Sequence, residues 1–245
     1  MHDIKHPIAP QFFIALIATV GSIAHAAVAE PDLVYLNRCA ATCAVHPGTD
    51  DAINGASSIV SNSSTLPAFP YADSTFNAMA ACVRAVLAPY NVRVRIDSPG
   101  SVARREIMLS TTSQTIGYPG GIHSVAPFDG HAHDNRIAFV FASNIGDNMD
   151  ALCWNTAQSI GFLYGLDRVS NCSDVMSSTP GRGEKAFVDF DSPCSGEISG
   201  QAGTCVLGNT TQNSAALLHA TPGPSDIVFA NGYETFEVPS PGPSP

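Results

Sequence analysis

The chain has 245 residues, 44% hydrophobic and only 13% charged, enough for one domain with a sizeable core. Its 11 lysines and arginines face 21 aspartates and glutamates, a formal charge of −10. That balance leaves no electrostatic footprint for nucleic acid or an anionic membrane surface.

The first residues carry Lys5 and then an apolar run from Phe12 to Ala24, followed by small-x-small sites at Ala24-His25-Ala26 and Ala27-Val28-Ala29. This is a signal-peptide pattern, cut after Ala26 or Ala29, which sets residues 1–29 apart from the fold. The mature protein is then exported, to the periplasm or outside the cell. No later apolar run reaches the roughly 18 residues of a transmembrane helix, so no transmembrane segment is expected.

Leu33–Asn37 reads as a first strand, followed by a polar loop from Arg38 to Phe69. Asp73-Ser74-Thr75 can cap a helix over Phe76, Met79, Ala80, Val83, Val86 and Leu87, which recur at helical spacing and stop before Pro89. Val92–Ile96 alternates apolar and charged residues as a half-buried strand does. Arg104-Arg105 reads as a pair on a solvated turn. Glu106–Ser110 is a third strand, Gly121–Ala126 a weak fourth, and Arg136–Ala142 a fifth, apolar throughout and central. Asp150 can cap a helix from Ala151 to Tyr164, and Gly165 can supply its left-handed stop. A last helix is expected over Thr211–Ala220. Residues 30–222 thus form the domain and residues 223–245 a Pro/Ser/Gly-rich tail. Within that tail, Ile227–Glu234 resembles a short I-F-x-x-G-F-E segment seen on exported proteobacterial proteins.

The stretch Gln158-Ser159-Ile160-Gly161-Phe162-Leu163-Tyr164-Gly165-Leu166-Asp167-Arg168, followed by Asp174-Val175-Met176-Ser177, carries the most information. It resembles the metzincin zinc peptidase signature, H-E-x-x-H-x-x-G-x-x-H with a Met-turn, in its apolar and glycine positions. The resemblance implies an α+β fold: a twisted, mostly parallel or mixed sheet, two main helices flanking a cleft, long disulfide-stapled loops, and Met176 in the Met-turn.

It also places the three zinc ligands at Gln158, Phe162 and Arg168 and the catalytic glutamate at Ser159. The chemistry does not survive those residues. Zinc needs neutral imidazole, thiolate or carboxylate donors, whereas Gln158 offers an amide, Phe162 nothing and Arg168 a permanent positive charge. Ser159 cannot take a proton from water near neutral pH without a helper. No catalytic residue and no cofactor are expected at this motif. The expected role is that of a pseudoenzyme holding a peptide or protein in the former substrate cleft, with the edge strand around Gly121–Ala126 accepting an added strand. For Arg168, the bland expectation is pairing with Asp167 or Asp174; the sharper one is capture of an acidic side chain or C-terminal carboxylate.

Two alternatives stay open. His123, His131, His133 and Asp134, with Asp129 among them, could hold zinc or calcium and support an active metal-dependent hydrolase. Pro127-Phe128-Asp129-Gly130 resembles the structural-metal loop of the matrixin branch, although Val125 stands where its second upstream ligand would be. Or the domain could be structural and envelope-associated. Of the seven cysteines, Cys39–Cys43, Cys153–Cys172 and Cys194–Cys205 are the expected local disulfides, leaving Cys82 free.

Overall fold

A computed structural model describes residues 30–40, 43–110, 112–179, 184–197 and 203–223. The signal-like leader and the apolar strip of the tail lie outside the described residues. The fold is mixed α+β. Its elements in chain order are β1 (Asp32–Asn37), β2 (Cys43–Pro47), β3 (Ala56–Ser57), β4 (Ser64–Leu66), α1 (Asp73–Leu87), β5 (Val92–Arg95), β6 (Arg105–Ser110), β7 (Ser124–Val125), β8 (Ile137–Phe141), α2 (Ala142–Ile145), α3 (Met149–Leu163), β9 (Ser192–Pro193), β10 (Thr211–Gln212) and α4 (Ser214–Ala220).

Five strands form the main sheet in the order β5-β1-β6-β8-β7. The first four run parallel, and β7 alone is antiparallel, on the edge beside β8. Both faces of this sheet are covered, which explains why β6 and β8 are buried from end to end. Val34, Leu36, Ile107, Leu109, Ala138 and Val140 point to one face and join the helical core. Met108, Ile137, Phe139 and Phe141 point to the other, against residues of the 39–66 segment and Ile116. The alternation follows directly from the two-residue period of a strand.

Helices α1 and α3 pack on the first face. The helical spacing read in α1 is the buried one: Phe76, Met79, Ala80, Val83 and Leu87. Cys82 of α1 is bonded to Cys153 of α3, tying the two helices together. The expected Cys153–Cys172 pair is therefore wrong, and so is a free Cys82: Cys172 is the free thiol, and it is exposed. Cys39–Cys43 and Cys194–Cys205 are bonded as expected.

Other expectations need correction. The 38–69 segment is not merely a loop, because β2 pairs with both β3 and β4 in a small sheet of its own. Asp73 does not cap α1; its carboxylate pairs with Arg38 instead. The cap of α3 is Asn148, whose side chain accepts from the Ala151 amide, rather than Asp150. The last helix is shorter than expected, since Thr211 and Gln212 pair with β9 before α4 begins.

Arg104 and Arg105 sit on no solvated turn. Arg104 is buried against Glu106 at 2.7 Å. Arg105 lies 4.0 Å from the Tyr164 ring centre and pairs with Asp32 at 2.9 Å and Asp134 at 2.7 Å. Their partners are supplied by distant parts of the chain, which local composition does not reveal. No helix among the described residues is long and apolar enough to cross a membrane.

Candidate functional site

The C-terminal end of α3 is closed by paired backbone bonds: Leu166 N–H donates to Gly161 C=O and Gly165 N–H to Phe162 C=O, each at 3.0 Å. This is the Schellman arrangement, and it needs a left-handed residue, which Gly165 supplies at φ +80°. A side chain there would also meet the backbone of Gly130, His131 and Ala132 at 2.7–2.9 Å. Gly165 therefore both turns the chain and lets the 130–132 loop press against it.

The turn carries Arg168 back over the helix. Its guanidinium lies 5.4 Å from the centre of the Phe162 ring, and Phe128 packs edge-on against that ring from another side. Gln158, one turn earlier, donates its amide N–H to the Val175 carbonyl at 3.0 Å. Met176 is fully buried, with its sulfur against Gly161. Asp174 braces this second turn by accepting from the Met176 N–H at 2.8 Å. Ser159 is buried and donates its hydroxyl to Asn155 C=O at 2.8 Å. Gln158, Phe162, Arg168 and Met176 thus gather around one end of α3.

These residues do not suit zinc. Gln158 offers at most a neutral amide oxygen, the phenyl ring has no donor atom, and Arg168 is a cation inside the set. The acidic partner of Arg168 is neither Asp167 nor Asp174, as expected, but Glu197, at 3.3 Å. Asp167 is engaged elsewhere, accepting from the amides of Arg168 and Val206. Burial holds the Arg168 pKa below its ordinary value, opposed by Glu197 and Asp167.

A cleft of about 460 Å³ opens beside these residues. It is lined by Gly121 to Ser124 on the chain entering β7, by Trp154 and Gln158 of α3, and by Arg168, Ser177 to Thr179 and Lys185. Lys185 gave no signal in the sequence, being a lone lysine on a polar loop. It is buried, with its ammonium donating to Ser177 C=O at 2.8 Å and Thr179 C=O at 2.9 Å, and it lies 5.9 Å from the Trp154 ring. Burial lowers its pKa, against the opposing charges of Asp174 and Cys172. Trp154 lines the cleft while packing its remaining surface on the core.

No protein-family model and no curated protein matches the sequence.

The histidine-aspartate alternative is divided by the fold. Asp129 accepts from the His131 amide at 3.0 Å and pairs with His133 at 2.9 Å, while Asp134 is drawn to Arg105. His123 lies apart on the cleft wall. Among the described residues, no group of three or more His, Cys, Asp or Glu is arranged to hold a metal ion.

Proposed function

We propose that this chain is an exported binding protein on a metzincin-like frame, whose cleft takes an extended polypeptide without cleaving it. Three disulfides fit an oxidising compartment outside the cytoplasm. The order of a mixed sheet, two crossed-linked helices, a glycine stop and a buried methionine turn supports the frame. The loss of donors and of the general base at Gln158, Ser159, Phe162 and Arg168 argues against hydrolysis there.

One observation carries the binding mode. Phe141 N–H donates to His123 C=O at 2.8 Å, across the register that pairs Ser124 with Val140. Hydrogen-bonded pairs alternate in an antiparallel ladder, so Ser124 is the residue whose N–H and C=O point away from β8. Ser124 also lines the cleft, which makes it the attachment point for an added strand. The nearby Ile122 carbonyl already accepts from Asn144 at 2.7 Å, which makes Ser124 the better-placed attachment residue.

A synthetic peptide library presented to the purified chain tests this reading, with affinities of the selected peptides read by fluorescence polarisation. Selected peptides should stay intact by mass spectrometry, and Ser124→Pro should weaken them about tenfold or more by removing the donor N–H. Absence of any bound peptide, or chelator-sensitive cleavage, would overturn it.

A further inference from the structure

We infer that the cleft captures the C-terminal carboxylate of its polypeptide, between Arg168 and Lys185; this rests on the strand-addition reading above. The chain as a whole carries −10, yet among the described residues no Asp or Glu lines the cleft. Its charged lining residues are Arg168 and Lys185, and His123 lines it as well. Two cations in a cleft lined by no carboxylate, on a chain of net negative charge, favour an anion there.

Both cations are placed to accept one. An ammonium has three donors. Lys185 spends two on the carbonyls of Ser177 and Thr179, and the third has no acceptor among the described residues. Asp174, whose charge acts on Lys185 together with that of Cys172, is buried, does not line the cleft and accepts from the Met176 and Val188 amides. A buried ammonium whose hydrogen bonds go only to neutral carbonyls gains from a directly bound counterion.

The Arg168 guanidinium lies 5.4 Å from the centre of the Phe162 ring, and its pair with Glu197 is long at 3.3 Å. Glu197 is half exposed and is also held by the Ser178 hydroxyl at 2.8 Å. The guanidinium fork can engage a second carboxylate in a bidentate manner, so Glu197 acts as an internal competitor at the rim.

The geometry favours a chain end over an internal acidic residue. The cleft, about 460 Å³, lies toward the small end of ligand sites, and β7 offers only two residues for pairing. Ser124, Arg168 and Lys185 line this same small cleft, which leaves an added strand anchored at Ser124 room for few further residues. A terminal carboxylate satisfies both the cations and the shortage of room for a continuing chain.

The test compares peptides of one selected sequence synthesised as free acids and as C-terminal amides, titrated onto the full chain. The free acid should bind about tenfold tighter or more. Arg168→Gln should abolish that preference while leaving weak amide binding, and melting curves will establish that the variant folds. Glu197→Gln, a change at the exposed rim, should tighten the free acid several-fold and leave the amide unchanged, an effect that a merely structural Arg168–Glu197 pair would not produce.

Equal affinity of acid and amide, with both dependent on Ser124, overturns carboxylate capture and leaves strand addition standing. An amide carrying an internal aspartate that binds as well as the free acid overturns it in the same way. Failure of both forms to bind overturns the two readings together.

Discussion

The sulfur of Met176 fills the hollow that Gly161 leaves on the surface of α3. A Cβ on Gly161 would collide with that sulfur and crowd Phe187 at 3.2 Å and Leu166 at 3.3 Å. Met176 is fully buried, so it cannot swing into solvent. Gly161→Ala should therefore cost about 1–3 kcal/mol, the range for overpacking a closed core, despite alanine's higher helix propensity. Urea unfolding of Gly161→Ala, Met176→Ala and the double variant measures it. The two changes should be strongly non-additive, because truncating the methionine makes room for the new methyl group. Additive costs would contradict the contact.

Gly165→Ala meets a harder obstacle. The atoms in its way are the backbone of residues 130–132, at 2.7–2.9 Å, and its φ is +80°. A left-handed alanine alone costs roughly 1–2 kcal/mol, and displaced backbone adds to that. The loss should exceed that of Gly161→Ala in the same urea assay, and protease cleavage should rise within the 128–134 segment. A smaller loss than at Gly161 would count against the close approach.

The three disulfides should contribute unequally. Cys82–Cys153 closes 71 residues, Cys39–Cys43 only 4. Loop-closure entropy gives about 4 kcal/mol for the first and about 2 for the second. Replacing Cys82 and Cys153 with alanine should therefore lower stability by more than replacing Cys39 and Cys43, read by chemical denaturation. Thiol labelling of the native protein without reductant should modify Cys172 and spare Cys82. Labelling of Cys82 would reinstate the local pairing expected from the sequence.

Asp174 makes stability depend on pH in a defined direction. Burial raises its pKa, against hydrogen bonds from Met176, Ser214 and Val188 and the charge of Lys185. A group whose folded pKa lies above its unfolded value contributes stability below the unfolded pKa and loses it as pH rises through the folded one. The advantage of the natural protein over Asp174→Asn should therefore shrink as pH rises above the ordinary aspartate value of about 3.9. It should stay positive, since asparagine cannot accept from both the Met176 and Val188 amides through two oxygens. An advantage that grows with pH would contradict the raised pKa.

The local parts of this protein were legible in the order of its residues. Phe76, Met79, Ala80, Val83 and Leu87 could be read as one helix face, because the backbone repeats every 3.6 residues whatever surrounds it. The end of α3 at Gly165 was legible for a similar reason: a left-handed residue is needed there and glycine adopts it without strain. Cys39–Cys43 and Cys194–Cys205 also followed from proximity along the chain. The shared helix face of Gln158 and Phe162 came from spacing of the same kind, whereas bringing Arg168 and Met176 beside them was what the motif resemblance implied.

What the tertiary structure alone decided was which distant groups meet. Cys153 bonds Cys82 and not the nearer Cys172, because α1 and α3 lie side by side in the core and bring those two thiols together. Arg104 and Arg105 are buried because β6 lies between β1 and β8, where Asp32, Glu106, Asp134 and Tyr164 can surround them. Arg168 takes Glu197 over its sequence neighbour Asp167, whose oxygens are held by backbone amides, one of them from Val206. Lys185 becomes part of a cleft only when its loop folds back on Trp154. Local periodicity is a property of the backbone, whereas a partner for a charge or a thiol is set by the packing of elements far apart in the chain.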